Sequence, residues 1–432
     1  MQIGVRPRWL DILYFVLLLL IITTTLISWF NTCSQLMILM LLVLLVLEWR
    51  TVEIRTVFTN QLFLAYFSLA FLEVIGLFYT NNFKEGWHNL ESKATLVAIP
   101  FILMVGPFRG KENFKKIMTA YCLISFALTF MCLCIAAYRY ANTGQAGLFF
   151  YHDLVSPLQQ NAILSTLLLI AAIIYLLYNN LYFGVAREPG RVWRVLLIIY
   201  FAGFCVLLAS KLLLFVMPLL LAIWLLQRYP AEKRTRPILA LMLAVAVGAT
   251  ILITTDNPIK ARYVDILRGD LDLVKREKFS PDIYLNGVQL RLLEYRYAWE
   301  ILKEHNAWIW GVSPGDAQDL LDEKYRQANL YLGTPDGKDI GFLNYDSHNQ
   351  FLQQLLQSGI IGLLVLIVVC VMLVARAVKE RSRETILFLV PVILVSLTAS
   401  LLELQHGLFL FTFFPFLFMY NLNNQQKTPV QA

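Results

Sequence analysis

The sequence predicts an all-α polytopic membrane protein with about twelve transmembrane helices and one large, mainly helical loop. Of its 432 residues, 58% are hydrophobic and only 15% are charged, and the mean hydropathy is +0.63. A soluble core cannot enclose that much apolar surface, whereas a lipid bilayer accommodates it. Apolar runs of about 17 to 25 residues, the length that crosses a bilayer, recur along nearly the whole chain.

Twelve apolar runs are the predicted helices. The first lacks a small-residue cleavage site and is followed at once by the second, so we interpret it as a retained helix and not as a signal peptide. The runs lie near residues 10–30, 34–48, 60–79, 94–108, 117–138, 161–178, 194–209, 211–228, 236–255, 351–375, 385–402 and 407–423. They divide the chain into helices 1–9 (residues 1–255), a loop subdomain (residues 256–348), and helices 10–12 with the C-terminal tail (residues 349–432).

The basic residues predict which side of the membrane each loop occupies. They are concentrated in short loops on alternate sides of the runs, as at Arg109, Lys111, Lys115, Arg376 and Lys379. The positive-inside rule makes that side cytoplasmic, and an even number of helices then puts both termini there and the loop subdomain outside. The loop subdomain carries 12 basic and 16 acidic residues. The net charge of +7 therefore indicates orientation, and no nucleic-acid partner is predicted.

The sequence gives no clear sign of a metal site or a cofactor. The six cysteines lie in or beside apolar runs and lack the spacing of a disulfide framework or a zinc site. Asp270-Leu271-Asp272 resembles a metal-binding Asp-x-Asp signature, but its basic neighbours Lys275 and Arg276 are typical of a solvated charged face. We predict no metal ion and no cofactor.

Two amphipathic helices are predicted in the loop subdomain. Residues 289–304 carry a helical apolar stripe at Leu290, Leu293, Tyr297 and Ile301. Residues 316–330 form the second helix, with Asp316 as its N-cap. The pair His305-Asn306 is interpreted as the end of the first helix and not as a ligand pair.

His348 is the candidate base, because it lies where the loop subdomain meets the next membrane helix. Ser347 followed three residues later by Gln350 has the capping-box pattern, which predicts Ser347 as N-cap and His348 as the first helical residue. The positive end of the helix dipole would then disfavour imidazolium. We therefore expect a neutral ring near pH 7.

Lys211 and Arg291 are the candidate diphosphate ligands. Only Ser210-Lys211 separates two apolar runs, which puts an ammonium group at the membrane interface. That lysine either snorkels or contacts a phosphate. Arg291 is preferred over Arg296, because Glu300 follows Arg296 by four residues and predicts a helix-surface ion pair.

Other polar residues on the same side are predicted to support the site or to contact the donor or acceptor. They are Ser210, Asn349, Tyr295, Arg296, Glu403, Gln405 and His152.

Several motifs, in this order and on this side of the membrane, make residues 196–414 resemble the O-antigen ligase and polymerase family of bacterial envelope enzymes. The motifs are Ser210-Lys211, Gly311-Val312-Ser313-Pro314-Gly315-Asp316, Ser347-His348-Asn349-Gln350-Phe351-Leu352, Gly359-Ile360-Ile361-Gly362 and Leu402-Glu403-Leu404-Gln405-His406-Gly407. Where the family has a Ser-Arg turn, this sequence has Ser210-Lys211. The lysine keeps the positive charge but lacks the planar guanidinium group that can bind phosphate through two hydrogen bonds. Tyr295 stands where many members have tryptophan.

The resemblance implies metal-independent glycan transfer from an undecaprenyl diphosphate carrier on the periplasmic face of the bacterial inner membrane. It implies that His348 serves as the base and that Arg291 and Lys211 bind the diphosphate. Direct attack opposite the diphosphate would invert the anomeric carbon. The leading expectation is an O-antigen ligase of lipopolysaccharide assembly, with lipid A-core as acceptor.

Alternative functions remain open at this point. A polysaccharide polymerase would use a growing glycan as acceptor, and a protein O-oligosaccharyltransferase would use Ser or Thr. A transporter or flippase also needs about twelve helices, but the membrane helices carry few charges besides Glu73, and midplane ion sites usually require them. In every case membrane lipids surround the protein.

Overall fold

The computed structural model describes residues 8–48, 54–108, 110–182, 190–267, 269–334 and 339–420, and these residues form helices, turns and loops without a strand. The all-α prediction is confirmed for this part of the chain. Arg109 and both chain ends lie outside the described residues, and the sidedness of the termini stays a prediction.

Eighteen α-helices are formed by the described residues, and each of the twelve predicted runs overlaps one of them. They are α1 (Arg8–Thr25), α2 (Asn31–Leu47), α3 (Ile54–Phe58), α4 (Gln61–Gly76), α5 (Phe83–Lys93), α6 (Thr95–Val105), α7 (Lys111–Thr143), α8 (Tyr151–Val155), α9 (Ala162–Tyr178), α10 (Gly190–Leu207), α11 (Lys211–Arg228), α12 (Thr235–Thr254), α13 (Pro258–Leu267), α14 (Gly287–Glu304), α15 (Ala317–Gln327), α16 (Gln350–Lys379), α17 (Arg383–Ser396) and α18 (Gln405–Tyr420).

Several predicted boundaries were wrong. The first helix ends at Thr25, ahead of a separate 3₁₀ turn at Ser28–Phe30, and α17 ends at Ser396, ahead of another at Leu401–Glu403. In contrast, α7 continues well past its apolar run at both ends. Hydropathy reports where a chain is apolar, whereas a helix ends where its backbone hydrogen bonds end, and the two positions need not coincide.

Among the described residues, four helices are long and apolar enough to cross a bilayer, namely α7, α11, α12 and α16. The segments Tyr151–Leu158 and Ala162–Tyr178 are bent by 77° against each other and add a fifth span if they form one broken helix. Shorter apolar helices, among them most of α1, α2, α4 and α18, accompany these. The chain is therefore a helical membrane protein, and the count of twelve spans stays a prediction.

The membrane helices share one core, and α18 lies inside it. Every residue from His406 to Met419 is buried, and α18 packs against α6, α9 and α17. The phenol of Tyr66 on α4 donates a 2.6 Å hydrogen bond to the backbone oxygen of Phe411. None of the residues of α12 is buried, so its apolar side chains face outward, as expected of a helix in contact with lipid.

The loop subdomain has a second hydrophobic core of its own. Leu293, Tyr297 and Ile301 of α14 pack there with Leu321 and Tyr325 of α15, as the predicted stripe requires. Asn286 and Gln289 form a capping box at the start of α14, each side chain bonding the other's backbone N–H. Both predicted loop helices are confirmed.

Two glycines join this subdomain to α16. Gly359 breaks α16 with φ 63° and ψ −163°, and a Cβ there would lie 2.2 Å from the Ile309 backbone oxygen. Gly311 has φ 72°, and a Cβ on it would lie 2.4 Å from the Gln357 oxygen. At this contact the N–H of Ile360 donates to the Trp308 oxygen, and the N–H of Val312 donates to the Leu356 oxygen. The glycines are thus needed for close backbone approach.

Asp316 occupies the predicted N-cap position of α15, but its side chain does not cap that helix. Its carboxylate accepts hydrogen bonds from the backbone N–H groups of Asn81 and Asn82, at 2.8–3.0 Å. The residue therefore ties the α4–α5 connection to the loop subdomain.

Candidate active site

His348 lies just ahead of α16 and not within it. Asn349 is the N-cap, and its Oδ1 accepts hydrogen bonds from the backbone N–H groups of Phe351 and Leu352. The prediction that Ser347 caps the helix was wrong, because Ser347 is buried and its N–H donates to Gln353. His348 adopts a left-handed backbone with φ 45°.

The ring of His348 faces a buried carboxylate that sequence reasoning did not assign. Its Nδ1 lies 3.0 Å from Oε2 of Glu294, which is fully buried on α14. Nδ1 also lies 3.1 Å from the Asp346 backbone oxygen. Neither Glu294 oxygen has a hydrogen-bond partner of standard geometry among the described residues, so the 3.0 Å approach is an ion-pair contact. Both neighbours of Nδ1 are acceptors, which puts the proton on Nδ1 and the lone pair of the neutral ring on Nε2.

The charges around the ring make protonated histidine easier to form than was predicted. Burial lowers the pKa of His348, but the Glu294 and Asp346 carboxylates outweigh it and raise that pKa above its usual value. Burial raises the pKa of Glu294 to about 7, with His348 opposing the rise. The direction of this shift is opposite to the one expected from the helix dipole. The carboxylate beside the ring is the stronger influence.

Arg291 lies on the same face of α14 as Glu294, one turn earlier. Its Nε donates to the Thr398 backbone oxygen at 3.0 Å, and its Nη1 donates to the Gly287 oxygen. Its positive charge acts on both His348 and Glu294. Tyr295 beside it donates to the Leu397 backbone oxygen at 3.2 Å. These contacts hold the arginine next to the histidine.

Lys211 begins α11 and lies among other cations. Arg262 and Arg291 both repel its charge, and Asp265 offsets only part of that repulsion. Within the described part of the chain, no carboxylate forms an ion pair with Lys211. We call Lys211, Arg262 and Arg291 the cationic cluster. Ser210 precedes Lys211 and is buried without capping α11 through its side chain.

Arg262 is the member of the cluster that sequence reasoning missed. Its guanidinium lies 3.3 Å from the centre of the Tyr151 ring, and its Nη1 donates to the Ala209 backbone oxygen at 3.1 Å. Tyr263 next to it donates to the Lys211 backbone oxygen. The helix α13 is thus fixed to the turn that carries Lys211. No local motif marks Arg262, because its neighbours come from distant parts of the chain.

The remaining predicted site residues have other partners. His152 uses Nδ1 to accept a hydrogen bond from the Ala162 N–H at the start of α9. Arg296 pairs with Glu300 at 2.7 Å and donates to the backbone of Val274 and Arg276, away from His348. Both residues thus have protein partners, His152 is also in electrostatic range of Arg262, and their support of the site stays a prediction.

Glu403 and Gln405 belong to a polar region between membrane helices. Glu403 accepts a hydrogen bond from Gln357 and lies 3.2 Å from Nζ of Lys93. Gln405 donates to Thr95. The charge of Glu403 helps to raise the pKa of Asp346. This polar region therefore lies next to the loop that carries His348.

The Asp270-x-Asp272 pattern forms a turn. Oδ1 of Asp270 accepts from the Asp272 N–H, and Asp272 pairs with Lys275 on the exposed surface. No group of three or more potential metal ligands occurs among the residues searched, which are those the structure describes.

Comparison with known proteins matches a segment that includes most of these candidate residues. The family model described as O-antigen ligase matches residues 195–367, which include the cationic cluster, Glu294 and His348. No curated protein matches the chain. The family implies a glycosyltransferase-type enzyme with lipid-linked glycan substrates. Over residues 195–367, this chain is therefore similar to the O-antigen ligase family.

Proposed function

We propose that the protein is an O-antigen ligase that transfers a glycan from undecaprenyl diphosphate to lipid A-core on the periplasmic face of the inner membrane. The observation that carries the proposal is the cationic cluster, which has no ion-paired carboxylate among the described residues and lies beside a histidine held by a buried glutamate. A diphosphate supplies the anion that such a cluster lacks.

The chemistry assigns one task to each group. Nε2 of His348 takes the proton of the acceptor hydroxyl as its oxygen attacks the anomeric carbon. The bond from that carbon to the diphosphate oxygen breaks, and the electron pair leaves with undecaprenyl diphosphate. Lys211, Arg262 and Arg291 stabilise the charge that develops on the leaving group. A single direct attack inverts the anomeric carbon, and no metal ion takes part in these steps.

Glu294 acts through the histidine. Its carboxylate lies 3.0 Å from Nδ1, favours the tautomer that presents Nε2, and stabilises the imidazolium that forms during transfer. It is a positioning residue, because its contact is with the ring and not with the substrate.

Complementation of a gene deletion tests the proposal. We expect wild type to restore glycan-bearing lipopolysaccharide on gels and His348→Ala to reduce transfer by about 10²–10⁴-fold. His88→Ala, which changes an exposed histidine on α5, is the matched control and should complement fully. A His348→Ala protein that is present in the membrane and restores normal attachment would show that the base is another group.

The same deletion separates the alternatives within the family. Loss of a ligase leaves full-length glycan on the lipid carrier, whereas loss of a polymerase leaves only single repeat units, which the intact ligase attaches to lipid A-core. Unchanged lipopolysaccharide with unglycosylated secreted proteins would indicate a protein O-oligosaccharyltransferase. Reporter fusions at exposed Asp282 should show export if the loop subdomain is periplasmic.

A further inference from the structure

A cavity of about 740 Å³ opens between the α4–α5 connection and the loop subdomain. Its volume falls within the roughly 300–1,000 Å³ that is typical of small-ligand sites. The rings of Tyr79, Phe83 and Trp310 line it together with the polar side chains of His305, Asn306 and Asp319. Trp310 is 53% exposed and Phe83 is 58% exposed, so the rings are available to a ligand.

The cavity is held open by contacts between its walls that leave the Trp310 ring exposed, and in one of them Oδ2 of Asp319 accepts a 2.7 Å hydrogen bond from Nδ2 of Asn82. The Tyr79 hydroxyl donates to the Trp310 backbone oxygen at 2.6 Å, and the Asn89 amide donates to the Pro314 oxygen at 2.9 Å. Together with the Asp316 carboxylate on the Asn81 and Asn82 N–H groups, they fix both walls. A preformed site avoids an ordering cost on binding.

The chemistry of the lining selects for a neutral saccharide. The apolar C–H face of a pyranose packs on an aromatic ring, while its hydroxyls need the planar amide and carboxylate groups that Asn306 and Asp319 provide. None of the residues that line this cavity is a lysine or an arginine, so it lacks the cations that would recognise a phosphate. Its composition therefore differs in kind from that of the cationic cluster.

Helix α15 lies between the cavity and the His348 loop. Asp319 and Leu320 face the cavity. On the opposite side, Gln318 and Tyr325 donate hydrogen bonds to the backbone oxygen of Tyr345, three residues before His348. A helix is about 10–12 Å across with its side chains. A glycan of a few sugar units can therefore occupy both places.

We propose that this cavity is a saccharide subsite that binds neutral sugar units distant from the bond that His348 acts on. The proposal rests on the function proposed above for its biological context, but the binding itself can be measured without transfer. The sugar units come either from the donor glycan or from the acceptor core, and the same lining suits both.

Ligand-observed NMR titration of the full-length protein in nanodiscs tests the subsite. The two probes are the glycan released from its lipid carrier by mild acid and the lipid-free core oligosaccharide. We expect one of them to bind, and we expect Trp310→Ala and Asp319→Ala each to weaken its binding roughly tenfold. Trp299→Ala is the matched control, since Trp299 is 56% exposed on the same subdomain and does not line the cavity.

Two results would overturn the subsite. One is that neither probe binds wild type. The other is that binding is the same in wild type, Trp310→Ala and Asp319→Ala, which would make the rings part of an interfacial aromatic belt. His348→Ala should bind the probe as wild type does. If transfer is absent from wild type but binding depends on Trp310 and Asp319, the proposed function fails and the subsite stands.

Discussion

Two lysines at the loop-subdomain end of the helix bundle have opposite surroundings. Nζ of Lys93 lies 2.9 Å from Glu73, 2.9 Å from Gln357 and 3.2 Å from Glu403. Its side chain is only 3% exposed. Lys211 is half-buried, has two arginines in electrostatic range, and has no ion pair within the described residues. The charge of Lys93 is compensated by carboxylates of the protein, whereas the charge of Lys211 has no ion-paired carboxylate among the described residues.

We interpret Lys93 as a structural charge, and the role proposed for Lys211 is a functional one. The network of Lys93, Glu73, Gln357 and Glu403 joins α4, α5, α16 and the turn after α17, and buried charges of this kind hold helices together only while all partners are present. The charges of the cationic cluster repel one another, and Asp265 offsets only part of the repulsion on Lys211. A protein retains such an arrangement where an anionic ligand offsets the repulsion.

The largest expected effect is on the buried network. Lys93→Met leaves Glu73 and Glu403 without their cation, and we expect a loss of about 3–5 kcal/mol in the free energy of unfolding. Thermal unfolding in detergent measures it. Lys211→Met is the matched variant and should unfold at or above the wild-type temperature. Equal destabilisation by the two substitutions would abolish the distinction between the lysines.

Next in size is the effect of Lys211 on transfer. Lys211→Ala should lower the transfer rate about 10²-fold, because one cation on the developing leaving-group charge is lost. Lys211→Arg keeps the charge and should remain active. Transfer is measured with purified protein and lipid-linked donor. Full activity in Lys211→Ala would mean that this lysine only snorkels at the interface.

Arg262 should contribute somewhat less, because it also stacks on Tyr151. We expect Arg262→Ala to lower transfer about tenfold or more and to raise KM for the donor. Tyr151→Leu removes the stacking partner but leaves the cation, and its effect should be smaller. If Arg262→Ala changes thermal stability and leaves transfer untouched, then Arg262 belongs with Lys93 as a structural charge.

The smallest effect is a shift in pH dependence. His348 must be neutral to act as a base, and its raised pKa means that transfer should increase with pH through a range above the usual histidine value. Glu294→Gln removes the nearest carboxylate, while burial and Arg291 still lower that pKa and Asp346 still raises it. The rise in activity should therefore move to lower pH, with a reduced plateau. An unshifted profile would show that Glu294 does not act on His348.

The sequence was sufficient to predict the helices, and that His348 lies where the loop subdomain meets α16, because hydropathy and the motif are local properties. It was insufficient for the start of α16. Ser347 and Asn349 are both good N-cap residues two positions apart, and only the folded chain shows that Gln350 and Gln353 bond elsewhere, to Leu402 and Ser347. The same pattern at Asn286 and Gln289 does form a capping box.

Glu294 and Arg262 could not be assigned from the sequence, because their roles depend on contacts between distant segments. Glu294 lies three residues after Arg291, so helical spacing did put both on one face. Nothing local indicates that this face meets the loop before α16. The contact of Arg262 with Tyr151 likewise joins α13 to α8, which have no relation in sequence.

The left-handed backbone of His348 has a practical consequence. Histidine tolerates φ 45° less well than asparagine or glycine does, and the cost is of the order of 1 kcal/mol. Replacing His348 with asparagine would remove the base and relieve that strain at once. A catalytically inactive chain that folds at least as well as wild type could hold donor and acceptor together without turnover, and so be used to trap the complex for structure determination.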